Sequence, residues 1–467
     1  MTIDRRGFLA ATSAAAAFLL FPGTVAGAAG DRVIELKAMP ADGRLAGPDG
    51  PVSSLWTYNG VCPGPEIRVR QGDRVRVRLV NALEEPTSIH WHGIRIDNAM
   101  DGVAGLTQEA VPPGGTFDYD FVVPDAGTYW YHAHTRSWNQ VGRGLYGALI
   151  VEEPEPVYPR ASDLVLVLDD WRLTREGVLE TASFGSLMDW SHGGRLGNHA
   201  TVNGDNRPVL ALARGEPSRL RLINVCNSRI LALDPARLGA RILAWDGQPL
   251  GEAVVPGGGP LPLGPGQRVD LLVIPRDDFM LDEVSGDQPF PLAEFRVRGE
   301  AVSGTGTMPA PLPPNTLPEP DLAGAEVIKV DMRGGAMGGP VSITHKGKVL
   351  DGEDYRRTGQ VWALNGVANA MDKPIASVKR GETVIIETAN NTAFDHAMHT
   401  HGHHFRVISV NGSGMDGRQP WRDTFLVAPG QTVSIAFVAD NPGKWLYHCH
   451  MLEHAAAGMT CWFEVTS

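Results

Sequence analysis

The sequence predicts an all-β protein made of three β-sandwich domains. Three observations carry that expectation: abundant turn residues, one pattern repeated three times, and alternating strands beside Pro-Gly turns. The 467 residues include 55 Gly and 35 Pro, and few stretches have a helical period. That balance favours strands joined by tight turns. At about 100–200 residues per domain, the length suits two to four domains.

The repeat narrows this to three. Pro65 leads to Gly72, then to an expected strand over 75–79 and to Asn81. Pro208 leads to Gly215, a strand over 220–224 and Asn224. Pro374 leads to Gly381, a strand over 384–388 and Asn390. In each copy Gly follows the Pro by 7 residues and Asn by 16. Asn59-Gly60, Asn203-Gly204 and Asn365-Gly366 precede the copies at similar distances. A second landmark also recurs: Pro113-Gly114-Gly115, Pro265-Gly266-Gln267 and Pro429-Gly430-Gln431. Each introduces alternating residues, over 117–123, 269–274 and 433–438, as in half-buried sandwich strands. The boundaries fall at Glu153-Pro154-Glu155-Pro156 and in the Pro-rich stretch 308–320, both of linker composition. The domains are therefore read as 31–156, 157–307 and 308–467.

Residues 1–30 are read as a leader outside the fold. Arg5-Arg6 precede a short apolar run ending near Phe21, and Ala26-Gly27-Ala28 has the form of a cleavage site. This is the organisation of a twin-arginine signal peptide and implies export to the periplasm, although Asp4 stands where such leaders usually have Ser or Thr. No second long apolar run follows, so no membrane span is expected in the mature chain. The net charge of −12 argues against nucleic acid or anionic membrane as a partner.

The chemistry lies in the histidines. With 15 His in the chain, about 0.5 His-x-His pairs would arise by chance. Four pairs occupy matching places in the first and third repeats. His90-Trp91-His92 begins 25 residues after Pro65, and His399-Thr400-His401 begins 25 after Pro374. His132-Ala133-His134 begins 19 after Pro113, and His448-Cys449-His450 begins 19 after Pro429. The second repeat has Leu233 and Pro235 instead. Residues i and i+2 of a strand share a face, so facing first and third domains would bring eight imidazoles together. That is too many for one ion of ordinary coordination, and imidazole suits copper, zinc, iron or nickel.

A second site is expected only in the third domain. Cys449 points to the opposite face from His448 and His450. His454 follows it by 5 residues and Met459 by 10, while His396 lies three before His399. Two His, a thiolate and a weak axial Met form a blue-copper electron-transfer set. The first domain has Thr87 and Ala133 at the places of His396 and Cys449. A zinc reading of the Cys-His set leaves the eight-His set unexplained. Because Cys449 is joined covalently to His448 and His450, an electron reaching it has a short path to the eight-His site. One mononuclear copper and three clustered ones store the four electrons that turn dioxygen into water.

HWHG, WYHAH, HAMHTHGHHF and HCHMLEHAAAGM together resemble the three-domain multicopper oxidases, which include laccases and bacterial cuprous oxidases. The resemblance covers about 31–467. It implies three cupredoxin-like Greek-key domains and four copper ions. By it, His396, Cys449, His454 and Met459 bind type 1 copper, and His90 and His399 type 2. His92, His132 and His450 hold one type 3 copper; His134, His401 and His448 hold the other. Dioxygen and a phenolic or metal-ion reductant are the implied partners, in a laccase or copper-detoxification role. Met459, where fungal laccases carry Leu or Phe, implies a lower potential. Ala397 replaces the usual Pro, and Ala455 the Glu implicated in proton delivery in bacterial relatives. Asp101 matches the acidic residue near the type 2 side and becomes the proton-relay candidate; a turn role before Gly102 is the plainer alternative. Asp423 resembles a residue at the type 1 rim that could bind a phenol hydroxyl or a metal ion, or simply make a strand-end hydrogen bond. Met332 and Met337 could offer thioethers to Cu(I) or be loop filler. His403 and His404 are expected to support or pack, and His192, His199 and His345 to lie in surface loops. Cys62 and Cys226 are paired or free, and Cys461 is core. Two other classes remain: a copper-free structural relative, against which the complete ligand set argues, and a copper nitrite reductase, which would not need His-x-His pairs in four places.

Overall fold

The computed structural model describes residues 25–26, 33–299, 308–338, 341–415 and 419–467. They form three pairs of facing sheets, and each landmark of the repeat does the same job in each pair. Asn59, Asn203 and Asn365 have left-handed backbones, with φ of 59°, 56° and 52°, a conformation Asn tolerates better than most residues. Each side chain grips the strand beside the turn. Asn59 accepts from the Lys37 amide and donates to the Glu35 carbonyl; Asn203 does so with Val167 and Val165, and Asn365 with Asp331 and Lys329. Asn81, Asn224 and Asn390 end equivalent strands. Their amides donate to two carbonyls each, including Val111, Leu263 and Val427, and so close the following loop.

The histidine pairs sit in two sheets of the same design. In the first domain the order is Val25–Ala26, Gly64–Arg70, Tyr146–Glu152, Gly127–Ala133, Ile89–His92. In the third it is Ser377–Lys379, Thr460–Thr466, Gly443–Cys449, His396–Thr400, Thr424–Val427. One cluster of buried apolar side chains runs through both domains, from Leu36 and Trp91 to Trp445 and Phe463. The second domain has its own core around Leu222, Leu271 and Phe295.

Two expectations need correction. The strand Arg268–Val273, expected to be half-buried, is buried along its whole length, and so is its neighbour Ser218–Asn224. The polar face of Ser218–Asn224 carries Arg219 and Arg221, which turn inward onto Asp163 at the junction of the first two domains. The leader is also not wholly outside the fold, because Val25–Ala26 pairs in parallel with Ile67 and Arg68. The rest of 1–30, with the twin-arginine motif, lies outside the described residues. Pro-rich 308–320 forms no helix or strand. It is nevertheless tied down: Asn315 donates to the Ala126 carbonyl and to Gln248. Among the described residues no helix is long and apolar enough to cross a membrane.

Candidate metal centre

The paired strands place the histidines opposite one another. His90 faces His132 across Ile89–His92 and Gly127–Ala133. His399 faces His448 across His396–Thr400 and Gly443–Cys449. The two sheets then meet imidazole on imidazole: His90 stacks on His401 with ring centres 3.9 Å apart, and His92 on His399 at 3.8 Å. Donor atoms converge in trios, each within 4.8 Å: His90 with His92 and His132, His134 with His401 and His448, and His90 with His399 and His401. His450 abuts His92 and His132.

Most of these rings are held by one nitrogen. Nδ1 of His90 donates to the Asp101 carbonyl, that of His399 to the Asp423 carbonyl, and that of His401 to Asp101 Oδ2, at 2.8, 2.9 and 2.9 Å. Nδ1 of His132 and of His448 donates to the next residue's carbonyl. The other nitrogen is left bare. Nε2 of His90, His132 and His399, Nδ1 of His92 and both nitrogens of His450 are buried without a hydrogen-bond partner. His401 and His448 turn their Nε2 atoms on each other at 3.1 Å. Buried polar atoms are rarely left unpaired. Bare imidazole nitrogens aimed at shared points, most of them on rings anchored behind, are the arrangement metal-binding histidines adopt.

The second site lies on the other face of the Cys449 strand. Nδ1 of His396 and of His454 are 3.0 Å apart, and Cys449 Sγ lies 3.6 and 3.9 Å from them. His396 Nε2 is held by Thr392 Oγ1 at 2.8 Å, and His454 Nε2 donates to the His192 carbonyl at 2.6 Å. Met459 is fully buried beside them, its amide bonded to the His454 carbonyl and its carbonyl to the Cys449 amide. Burial pushes the Cys449 thiol up to about 12 and His454 down to about 4. Burial also depresses His396, His399, His401 and His450 well below the usual imidazole range. Neutral imidazole is the ligand form, so the pocket keeps these imidazoles ready for a metal. The donor set, nitrogen at one site and nitrogen with sulfur at the other, fits copper at both.

Asp101 is fully buried between His90 and His401. Its turn role holds as well, since it caps the short helix Asn98–Met100. Asp423 does not lie at the type 1 rim. It is fully buried on the eight-histidine side, 3.2 Å from His92 Nε2 and doubly bonded to Arg268. It precedes the strand Thr424–Val427, whose first residue pairs with His399 while Val427, at the other end, pairs with His396. Met332 is sealed in the core while Met337 is 84% exposed, so the two thioethers form no joint site. His403 packs on Trp445 and Phe437, and His404 lies 3.7 Å from Asp423 Oδ2. His192, His199 and His345 are half-buried and hydrogen-bonded to carbonyls rather than free in surface loops. Cys62 and Cys226 are free thiols, and Cys461 is core.

The sequence reading missed what the second domain contributes. Arg268 reaches Asp423, and Asn227 and Ser228 hold the carboxyl of Glu453, beside His454, at 2.8 and 2.7 Å. One signal existed for Arg268: it follows the second Pro-Gly landmark by the same count that puts Thr116 and Thr432 after the others.

The multicopper oxidase family profiles match residues 43–156 and 343–467. The chain is similar to multicopper oxidase MmcO of Mycobacterium tuberculosis, with 32% identity over 88% of this chain and 83% of that one. The chain belongs to the multicopper oxidase family. It is thus a copper-dependent oxidoreductase that uses dioxygen, with cupredoxin-like domains. A copper resistance protein A homolog of Pseudomonas syringae pv. tomato is 28% identical over 88% of this multicopper oxidase and 89% of its own length. Among solved structures, the multi-copper oxidase of Pseudomonas Thermotolerans superposes with a TM-score of 0.79 at 35% identity, covering 95% of this chain and 100% of the other.

Proposed function

We propose that this oxidase takes single electrons from a small phenolic compound or Cu(I) and reduces dioxygen to water with one type 1, one type 2 and two type 3 coppers. The observation that carries the reading is the set of bare, anchored imidazole nitrogens converging between the first and third domains. His396, Cys449, His454 and Met459 would hold type 1 copper, and His90 and His399 type 2. His92, His132 and His450 would hold one type 3 copper, and His134, His401 and His448 the other. When bound, the coppers accept electrons one at a time and pass four to dioxygen.

The chain's own residues do the rest. Cys449 is covalently continuous with His448 and His450, so its thiolate and the cluster share one strand. Asp101 holds His90 and His401 in place. Its Oδ1, buried without a hydrogen bond of its own, is the oxygen best placed to carry a proton beside the cluster. His454 Nε2 is capped by the His192 carbonyl, so a reductant meets the segment Leu187–His192 of the second domain rather than the imidazole. The domain limits 31–156, 157–307 and 308–467 are supported by the three sheet pairs. Export to the periplasm is supported by the Arg5-Arg6 leader.

Replacing Cys449 by Ser tests the assignment. The variant should lose the blue absorbance and oxygen consumption while its circular dichroism stays that of the parent. Undiminished oxygen uptake in it would refute the electron path. Steady-state rates with Cu(I) and with phenols separate the two reductants.

A further inference from the structure

The second domain has lost the histidine pairs, yet its Arg268 is fully buried against the eight-histidine site. Its guanidinium touches all three domains. Nε donates to the Thr128 carbonyl in the first and Nη1 to the Gly266 carbonyl in the second, at 3.1 and 3.0 Å. Nη1 and Nη2 fork onto Asp423 of the third at 2.8 and 2.6 Å. A guanidinium fork matches the two oxygens of a carboxylate, and the pairing adds direction as well as strength. Asp246 steadies the arrangement from behind. It accepts the Arg268 amide at 2.9 Å and the Arg422 side chain at 2.8 Å.

Asp423 Oδ1 faces His92 Nε2 at 3.2 Å. A carboxylate paired with arginine only accepts hydrogen bonds, so His92 must donate from Nε2. Its Nδ1 is then the bare nitrogen, and that atom has no partner. The neighbouring rings are the other way round: His90, His132, His399, His401 and His448 are anchored through Nδ1. His92 is reversed relative to these five, and the groups facing its Nε2 are Asp423, held by Arg268, and Thr424 Oγ1, which itself donates to Asp423 Oδ1. The backbone makes room for this pair. A Cβ on Gly93, the residue after His92, would lie 2.3 Å from Arg268 Nη2 and 2.6 Å from Asp423 Oδ2. A Cβ on Gly266 would press on His92 and His450 at 3.0 Å, so the Pro-Gly turn of the second domain closes that side of the cluster.

We infer that Arg268 is a positioning residue for the copper cluster: through Asp423 it fixes His92 as the Nε2-protonated tautomer and so presents Nδ1 as the ligand atom. The second domain is then part of the cluster's framework, although it supplies no ligand. This rests on the trinuclear reading above and deepens it.

Two measurements test it. In metal-free wild-type protein labelled with 15N-histidine, NMR should show His92 protonated at Nε2 and bare at Nδ1, the resonance being assigned by its loss in His92→Gln. A His92 protonated at Nδ1 overturns the inference. In Arg268→Lys, which keeps the charge but loses the fork, cluster copper should bind about 10–100-fold more weakly while the blue absorbance is kept. A merely structural Arg268 would instead lower unfolding stability and leave copper affinity at the wild-type value; that result also overturns the inference. If Arg268→Lys does not fold, the wild-type tautomer decides alone. Wild-type protein that binds copper only at Cys449 defeats the trinuclear reading, and the tautomer of His92 is still decided by the metal-free measurement.

Discussion

An imidazole has two nitrogens, and what holds one decides what the other can do. Asp101 shows how much one side chain can settle: its carbonyl takes His90 Nδ1 and its carboxylate takes His401 Nδ1, so two rings from two domains are oriented together. Its neighbour Gly102 is required, because a Cβ there would lie 1.8 Å from the Ile89 carbonyl oxygen. Asp101→Asn keeps an acceptor for His401 but removes the group that can carry a proton. Oxygen consumption should fall by about 10²-fold or more, with copper content and blue absorbance unchanged. An oxygen electrode checks this, and wild-type turnover would exclude Asp101 as the relay.

At the scale of an element, the strands hold the ligands only as firmly as their ends are tied. Asn390 closes the strand Thr383–Asn390 by donating to the Phe394 and Val427 carbonyls and accepting from the Thr392 amide. Thr392 in turn holds His396. Asn390→Ala leaves those buried groups unpaired, at a cost of about 1–3 kcal/mol. Denaturant unfolding of the metal-free variant measures that loss. The blue absorbance of the loaded variant should also change, because the loop that orients His396 is loosened. Asn224→Ala, at the same place in the second domain, should cost a similar amount and leave the blue absorbance alone.

For the whole molecule, the junction of the first two domains joins an apolar cluster, Trp130 and Ile150 packed with Val165 and Val167, to a buried ionic one. Asp163 is buried with Arg219 and Arg221, Arg219 also pairs with Glu153, and Arg68 completes the group. Burial pushes the Asp163 carboxyl up, but Arg221 and Arg219 outweigh it and hold it well below the usual carboxylate range. A carboxyl depressed in the folded state stabilises fully above its unfolded value of about 4, and this is lost as pH falls below that. Metal-free protein should therefore keep a constant contribution from this site from neutral pH down to about 4 and lose it below, as acid unfolding curves will report. Asp163→Leu leaves Arg219 with Glu153 and Arg221 with the more distant Asp270 as their remaining carboxylates, and should destabilise by about 3–5 kcal/mol in equilibrium unfolding. In that variant the acid-sensitive part of the curve should shrink.

The sequence alone determined the class of protein, the three-fold repeat and the histidines that meet. Strand period and repeat register are local and linear, so His90, His132, His399 and His448 could be placed on shared faces by counting. It also determined Cys449, because alternation along one strand turns the thiol away from its neighbours. What lies behind each ring was decided only by tertiary structure. Asp423 was expected beside Cys449 and sits instead against His92, because the chain pairing Thr424 with His399 carries it to the cluster end of the sheet. Arg268 and the His192 carbonyl come from a domain whose own repeat had lost its metal residues. Such partners lie far away along the chain and follow no period, and the packing of three domains brings them within hydrogen-bond range.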